Sequence, residues 1–233
     1  MFEDNNDNED AMRQVNYDLL KDDHLPTGIK TLDEGKPYGF PKGSFVVIMG
    51  DERSMSNLFG LHMASTGKPT QYLSTLRPSS LVRQEIDKIG TSEEVEITDM
   101  FRETNDHTAV IKSRLSRVEE EGYLILESLN EVNWPDEASY RQVMRNVYKD
   151  IKKKKEGIAL LHLQRGSTDD LKEIEKQILN LADIVLHVDS EKVGGDVEHD
   201  LKFFKMRGIQ RMPEQVYKLK FGDIIKVDAA RDI

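Results

Sequence analysis

The stretch SFVVIMGDERSMSNLF, residues 44–59, joins an apolar run to a polar loop and then to the start of a helical pattern. A near-continuous apolar run is typical of a strand that is buried on both faces of a parallel sheet. Gly50 follows this run at the point where the chain turns from strand to helix. The stretch therefore predicts an α/β fold with a loop at the carboxyl end of a central strand.

The loop after this strand has the frame of a phosphate-binding loop but not its side chains. In the spacing G-x-x-x-x-G-K-[ST], the lysine binds the β- and γ-phosphates and the hydroxyl residue binds Mg²⁺. In that frame the loop here comprises Gly50, Asp51, Glu52, Arg53, Ser54, Met55, Ser56 and Asn57. The last three stand where the motif has its second glycine, its lysine and its hydroxyl residue. The loop therefore predicts no resident cofactor, with ATP as the one candidate, and no catalytic residue.

Two acids in this loop also oppose the binding of polyphosphate. Asp51 and Glu52 place negative charge where the phosphates would lie, and Arg53 offsets one of them. Each like-charge contact at about 4 Å costs on the order of 4 kcal/mol at an effective dielectric of 20. We therefore expect ATP hydrolysis to be absent or close to background.

From residue 44 onward, short β-branched runs alternate with longer helical patterns, as in a parallel sheet covered by helices on both faces. The predicted strands are SFVVIM (44–49), TQYLS (70–74), EVEIT (94–98), GYLILES (122–128), GIALLHL (157–163) and ADIVLHV (182–188). Helical patterns begin near Pro78, Asp106, Asp136 and Thr168. In the third of these, one helix face carries Val143, Met144, Val147, Tyr148 and Ile151. Lysines at 152–155 favour the end of that helix, where Gly157 lets the chain leave it.

After residue 200 the pattern changes to short runs separated by turn residues. These runs are LKFFKMRG (201–208), EQVYKLKFG (214–222) and DIIKVD (223–228). They predict antiparallel strands that extend the sheet.

Composition limits the class of protein and its partners. The 233 residues suit one large α/β domain, and no apolar run approaches the about 20 residues that span a bilayer. We therefore expect a soluble, cytoplasmic protein without a membrane partner. There is no cysteine, and the six histidines show no ligand spacing, so we expect no metal site.

The net charge of −10 is concentrated at the amino end of the chain. Residues 1–24 hold eight acids against Arg13 and Lys21, a balance of −6. This composition is typical of a disordered acidic tail, with a partner-binding or DNA-mimicking arm as the alternative. The rest of the chain, at −4, has no general basic surface for nucleic acid, so we do not expect a nucleic-acid partner.

Five motifs in order resemble the RecA-like ATPases of the KaiC and archaeal RadA type. They are TGI…LD in LPTGIKTLDEG (25–35), PKGSFVVIMG (41–50), YLILESL (123–129), ADIVLHV (182–188) and KFFKMRG (202–208). The resemblance covers about residues 25–228 and implies one domain over residues 25–233. It implies a RecA-like central, mainly parallel sheet flanked by helices, with a C-terminal antiparallel extension.

The resemblance also implies that the hydrolytic positions are degenerate. Thr75 and Leu76 occupy the positions of the water-activating acids, which leaves Arg77 as an anion ligand or a surface residue. Glu127 and Ser128 stand at the Walker B-like position, where the family has its metal-orienting aspartate. Glu127 either keeps residual metal binding or caps a neighbouring loop.

Lys205 and Arg207 lie in the best-preserved motif, KFFKMRG. In KaiC-like hexamers the equivalent pair reaches the γ-phosphate of the neighbouring subunit, so these residues would act in trans at an interface. Solvated charges at a strand edge are the alternative.

The resemblance and the degenerate loop together predict a regulatory or scaffold subunit in an oligomeric assembly or signalling system. Its partners would be RecA/KaiC-like subunits, in a homo- or hetero-oligomer, and the acidic balance fits a salt-tolerant or archaeal source. A nucleotide-binding RadA-type recombinase paralogue that assists DNA repair is the alternative. A functioning ATPase with an unorthodox loop is a third.

Overall fold

The computed structural model describes residues 23–34, 39–101, 106–165, 171–193, 196–207, 217–220 and 226–229. Of the predicted acidic tail, only its last two residues lie in the described part. Thr168, the predicted start of a helix, lies outside the described residues.

Eleven strands and six α-helices are present in these ranges. The strands are β1 (His24–Leu25), β2 (Phe40–Pro41), β3 (Ser44–Gly50), β4 (Thr70–Ser74), β5 (Val95–Asp99), β6 (Tyr123–Leu126), β7 (Ile158–Gln164), β8 (Ile184–Val193), β9 (Asp196–Met206), β10 (Tyr217–Lys220) and β11 (Lys226–Ala229). The helices are α1 (Lys30–Glu34), α2 (Leu58–Ala64), α3 (Ser79–Ile89), α4 (His107–Arg117), α5 (Glu137–Asp150) and α6 (Glu173–Leu181). No helix in the described ranges is both long enough and apolar enough to cross a membrane.

Nine strands form one sheet in the order β11-β10-β9-β8-β3-β7-β6-β4-β5. The pairs from β8 through β3 to β5 are parallel, and the pairs from β8 to β11 are antiparallel. The predicted fold class, a mainly parallel sheet with an antiparallel C-terminal extension, is confirmed. The four strands predicted to be most buried are β3, β6, β7 and the first half of β8, and their residues there lie in the core.

Successive residues of a strand point to opposite faces of the sheet, so a strand that is apolar throughout makes both faces apolar. Helices cover both of these faces. On β3, Val46 and Ile48 join the core under α1, α2 and α3, whereas Val47 joins the core under α4, α5 and α6. The predicted apolar face of α5 is correct. Val143, Val147 and the following Ile151 are buried there, together with Met144 and with Tyr148 at the margin.

The hairpin of β8 and β9 is longer than the sequence pattern predicts. Its strands pair from Ile184 to Val193 and from Asp196 to Met206. The prediction ended the first strand at residue 188 and resumed at 201. The missed part, beyond Asp189, is largely exposed and charged, so it carries no apolar signal.

The TGI…LD motif forms a local turn that positions α1. The carboxylate of Asp33 accepts hydrogen bonds from the backbone N–H of Thr27 (2.7 Å), the hydroxyl of Thr27 (2.7 Å) and the N–H of Gly28 (3.0 Å). Gly28 has φ +76°, and a Cβ there would lie 2.2 Å from the carbonyl oxygen of His62 in α2. The motif is therefore explained by backbone packing at the entry to the sheet.

The end of α5 differs from the predicted glycine-terminated helix. A single π-helical turn, Ile151–Lys155, follows α5, and Glu156 takes the left-handed conformation with φ 50°. Gly157 is needed for a different reason, since a Cβ there would lie 2.2 Å from the carbonyl oxygen of Gly122. Glycine is therefore needed here because the chain just before β7 passes close to the chain just before β6, and not because φ is positive.

Candidate functional site

The candidate site lies at the carboxyl ends of β3, β7 and β6, which are neighbours in the sheet. The loop of residues 50–57 leaves β3 at Gly50, His162 lies near the end of β7, and Glu127 follows β6 directly. Ligand sites of open α/β sheets are commonly at this edge. The fold therefore brings the loop and Glu127 to the same edge of the sheet.

Two serine hydroxyls occupy the interior of the loop. Ser54 and Ser56 are buried, with 0% and 2% of their surface exposed. The Ser54 hydroxyl lies 2.7 Å from the carbonyl oxygen of Asp51 and 2.9 Å from the Ser56 hydroxyl. A Cβ on Gly50 would lie 2.1 Å from the Ser54 hydroxyl oxygen, so glycine is required at the strand end.

The hydrogen-bond chain continues from Ser56 to His162 and on to the backbone at Glu127. The Ser56 hydroxyl lies 2.6 Å from His162 Nε2, and His162 Nδ1 lies 3.0 Å from the carbonyl oxygen of Glu127. A carbonyl oxygen only accepts, so Nδ1 carries the proton and Nε2 accepts from Ser56. Burial lowers the pKa of His162 to about 4, so this tautomer is neutral at physiological pH. The network joins all three strands.

Sequence reasoning missed His162. The residue lies within the predicted strand GIALLHL, where it breaks an otherwise apolar run. A buried polar side chain needs a hydrogen-bond partner, and this interruption was the available signal.

The exposed part of the loop is held by its own charges. Arg53 binds the carboxylate of Asp51 at 3.1 Å, and the Ser190 hydroxyl donates to the same carboxylate at 3.1 Å. Burial would raise the pKa of Asp51, but these hydrogen bonds outweigh it and the pKa is lowered. Arg53 thus neutralises one loop acid, as expected, while Glu52 is exposed.

The last part of the loop keeps an unusual backbone. Met55 has φ 53°, a left-handed conformation that favours glycine, and its side chain is exposed. Asn57 precedes α2 without a side-chain capping bond. The position of the motif's second glycine therefore retains a glycine-like backbone conformation.

Glu127 is fully buried and caps the loop that follows β4. Its side chain accepts hydrogen bonds from the backbone N–H groups of Thr75 (3.0 Å) and Leu76 (2.9 Å), and from Arg77 Nε at 2.5 Å. Ser74 adds a fourth donor at 3.1 Å. The loop-capping alternative describes this geometry, and the carboxylate is already fully engaged.

Arg77 is not the surface residue that one reading predicted. Its side chain is 19% exposed, and it binds Glu85 at 2.6 Å as well as Glu127. The burial of Glu127 explains this placement, because a buried carboxylate requires a countercharge. Ser128 is also buried, and its hydroxyl has no hydrogen-bond partner among the described residues.

The described residues contain no cluster of three or more histidine or acidic side chains that could hold a metal ion. Thr75 and Leu76 contribute backbone N–H groups to Glu127, and their side chains carry no acid. In this arrangement the loop interior is packed, and the carboxylates of Asp51 and Glu127 are each paired with an arginine.

Lys205, near the end of β9, and Arg207, just after it, lie beside the start of β8 and bind their own chain. Lys205 Nζ donates to the carbonyl oxygens of Leu179 (2.8 Å) and Asn180 (2.9 Å), and Arg207 Nη2 donates to that of Asn180 at 2.6 Å. Arg207 also lies 3.7 Å from the carboxylate of Asp183. Both cations therefore cap the C-terminus of α6, a role that the sequence did not suggest.

Comparison with known proteins supports this fold. A profile described as a family of unknown function (DUF7125) matches residues 24–233. None of the curated proteins matches the chain. Among solved structures, the chain is similar to a KaiC-like protein from the hyperthermophilic archaeon Pyrococcus horikoshii OT3, with a TM-score of 0.69 and 18% identity over 88% of this chain and 98% of that one. At this identity, the likeness shows the fold alone.

Proposed function

Because the chain belongs to the family of unknown function DUF7125 and has a RecA/KaiC-like fold, we propose that it is a non-hydrolysing regulatory or scaffold subunit. It would act in an oligomer with RecA/KaiC-like subunits. The observation that carries this proposal is the buried network of Ser54, Ser56 and His162 inside the loop.

A nucleotide would have to displace that network. A working loop needs inward-pointing N–H groups, a lysine and a metal-binding hydroxyl. Here the serine hydroxyls fill the interior, and Ser56, at the lysine position, is bound to His162. Removing one electrostatic group from a catalytic site commonly costs about 10²- to 10³-fold in rate, and several are missing together.

The retained fold supports a role in assembly. Lys205 and Arg207 lie in the motif that faces a neighbour's nucleotide in KaiC-like hexamers. Arg207 remains 45% exposed despite its contact with α6, so its fork can still reach an acidic or phosphate group on another subunit. Such a contact would weaken with salt because exposed pairs are screened.

The first test is calorimetric titration with ATP, with and without Mg²⁺, followed by steady-state phosphate release. We expect no Mg²⁺-dependent binding and no turnover above background. The matched variant carries Met55→Gly, Ser56→Lys and Asn57→Thr, which restore the three side chains of the motif; a gain of affinity in this variant alone supports the proposal. Turnover by the parent that Glu127→Ala abolishes would contradict it.

The second test addresses assembly by light scattering of the parent and of Arg207→Glu, alone and mixed with an active KaiC-like partner from the same cell. We expect the charge reversal to change the mass of the assembly. An unchanged mass in both settings would exclude Arg207 from an interface. Binding of single-stranded DNA by the parent would favour the recombinase-paralogue alternative instead.

A further inference from the structure

A groove of about 480 Å³ lies between α5 and α6. Three arginines and an apolar floor line it. We call it the arginine groove, and its defining residues are Arg141, Arg145, Arg207, Met144, Ile178 and Leu181. Tyr140, at one wall, has a buried hydroxyl without a hydrogen-bond partner among the described residues.

The charge of the groove is opposite to that of the chain. The net charge of the chain is −10, yet no acidic side chain is among the described residues that line the groove. Arg141 pairs with Glu137 and Arg207 with Asp183, both outside the lining, whereas Arg145 is exposed and has no ion pair within the described ranges. The groove therefore presents positive charge above an apolar floor.

The amino-terminal segment of the same chain, residues 1–22, has the complementary chemistry. It carries seven acids against Arg13 and Lys21. It also carries apolar residues: Phe2 before the first acid, and Met12, Val15, Leu19 and Leu20 among the last three acids. Acids interleaved with apolar side chains are what a groove with arginine walls and an apolar floor would bind.

The segment is long enough to reach the groove from its attachment point. The described chain begins beside β1, whose partner β2 leads into the start of β3. Twenty-two residues span up to about 70 Å when extended, and a compact domain of this size has a radius of gyration of about 17 Å. Residues 1–22 are therefore long enough to reach the arginine groove from the start of β1.

We propose that the arginine groove binds residues 1–22 of its own chain. The acids pair with Arg141, Arg145 and Arg207, and the apolar side chains pack on Met144, Ile178 and Leu181. Exposed ion pairs are individually weak and salt-sensitive, so the contact is reversible.

The absence of cysteine from the chain gives a clean probe of this contact. A single Asn8→Cys substitution in the full chain carries a fluorescent dye, and its anisotropy reports the mobility of the segment. We expect high anisotropy at low salt, a fall at high salt, and a comparable fall when Arg145→Glu is added. Lys112→Glu, an equal charge change at an exposed position of α4 outside the groove, is the matched control and should leave the anisotropy unchanged.

A second variant tests the contact from the side of the segment, without altering the folded domain. Asp7→Asn, Glu9→Gln and Asp10→Asn together should lower the anisotropy as far as Arg145→Glu does. Equal effects of Arg145→Glu and Lys112→Glu, or low anisotropy in the parent, would overturn the proposal. Anisotropy that rises with protein concentration would place the segment on a second copy and would overturn the same-chain contact.

Discussion

His162 shows how one buried side chain couples the candidate site to stability. Its buried ring bridges the hydroxyl of Ser56 and the carbonyl of Glu127. Protonation of Nε2 would remove the acceptor for Ser56 and leave an uncompensated charge in the core. The network is therefore built for the neutral ring.

We predict that acid destabilises the protein through His162. Its pKa is lowered by burial from 6.5 to about 4, so between these values the unfolded chain binds a proton that the folded chain does not. The free energy of unfolding should fall as the pH drops from 6.5 to 4, by up to about 3 kcal/mol, and this contribution should be constant below pH 4. Urea unfolding of the parent and of His162→Gln across this range measures it. If both show the same slope with pH, the slope comes from other groups.

Glu127 is predicted to be a stability residue. Glu127→Gln keeps the shape but removes the buried carboxylate that pairs with Arg77, and we expect a loss of about 3 kcal/mol of unfolding free energy. Glu85→Gln is the matched control, because the Glu85 side chain is 37% exposed and an exposed pair contributes less than about 1 kcal/mol. Similar losses of unfolding free energy in both variants would show that Glu127 contributes no more to stability than Glu85 does.

The sequence shows which residues form the loop after the first core strand, but not the contacts that fill its interior. The missing lysine and hydroxyl at Ser56 and Asn57 follow from motif spacing, which is local along the chain. The contact between Ser56 and His162 joins residues 106 positions apart, and spacing carries no information about such a pair. The burial of Arg77 was missed for the same reason, because its partner Glu127 follows a different strand.

At the scale of elements, α6 depends on a cap supplied by β9. A helix ends with carbonyl groups that lack intrahelical partners, and cations near this end are favourable. Lys205 in β9 and Arg207 just after it provide donors, and the backbone N–H of Arg207 donates to the carbonyl of Asp183 at 2.8 Å. The KFFKMRG motif therefore joins the antiparallel extension to the helical layer.

We expect Lys205→Met to destabilise the chain by about 1 kcal/mol, because the apolar stem is kept while two charged hydrogen bonds to α6 are lost. Lys176→Met, at an exposed position of the same helix, is the matched control and should change stability little. The readout is the urea midpoint at constant slope. A loss in Lys176→Met as large as that in Lys205→Met would contradict the capping role.

Elements with strong apolar runs were predicted well, and elements made by polar contacts were not. The runs in β3 and β7 have both faces buried, which the sequence shows directly. The short helix α1 depends instead on Asp33 and the turn at Gly28, a set of local hydrogen bonds without periodicity. The outer halves of β8 and β9 pair through their backbones while their side chains are exposed.

At the scale of the molecule, the sheet separates two apolar cores, one on each face. Asp183 connects several elements at one end of this sheet. The carboxylate of Asp183 accepts from the N–H of Phe45 at 3.1 Å and from Lys152 at 2.9 Å. It thus ties the start of β3 to the turn after α5 and, through Arg207, to β9. This connection explains the ADIV motif in terms of structure, independently of nucleotide chemistry.

The central position of β3 has a consequence for amide hydrogen exchange. β3 is paired on one side with β7 and on the other with β8, and all seven of its residues are buried. We expect its amides to exchange with deuterium only when the whole domain unfolds, while those of edge strand β5 exchange by local opening.

Exchange followed by mass spectrometry should then show an abrupt change in protection at Gly50. The loop beyond this residue would open without disturbing the strand that supports it. Equal protection on both sides of Gly50 would contradict this view. A loop that opens while β3 stays folded can accept substitutions without unfolding the domain. A RecA/KaiC-like fold can therefore carry a sequence such as DERSMSN after its central strand.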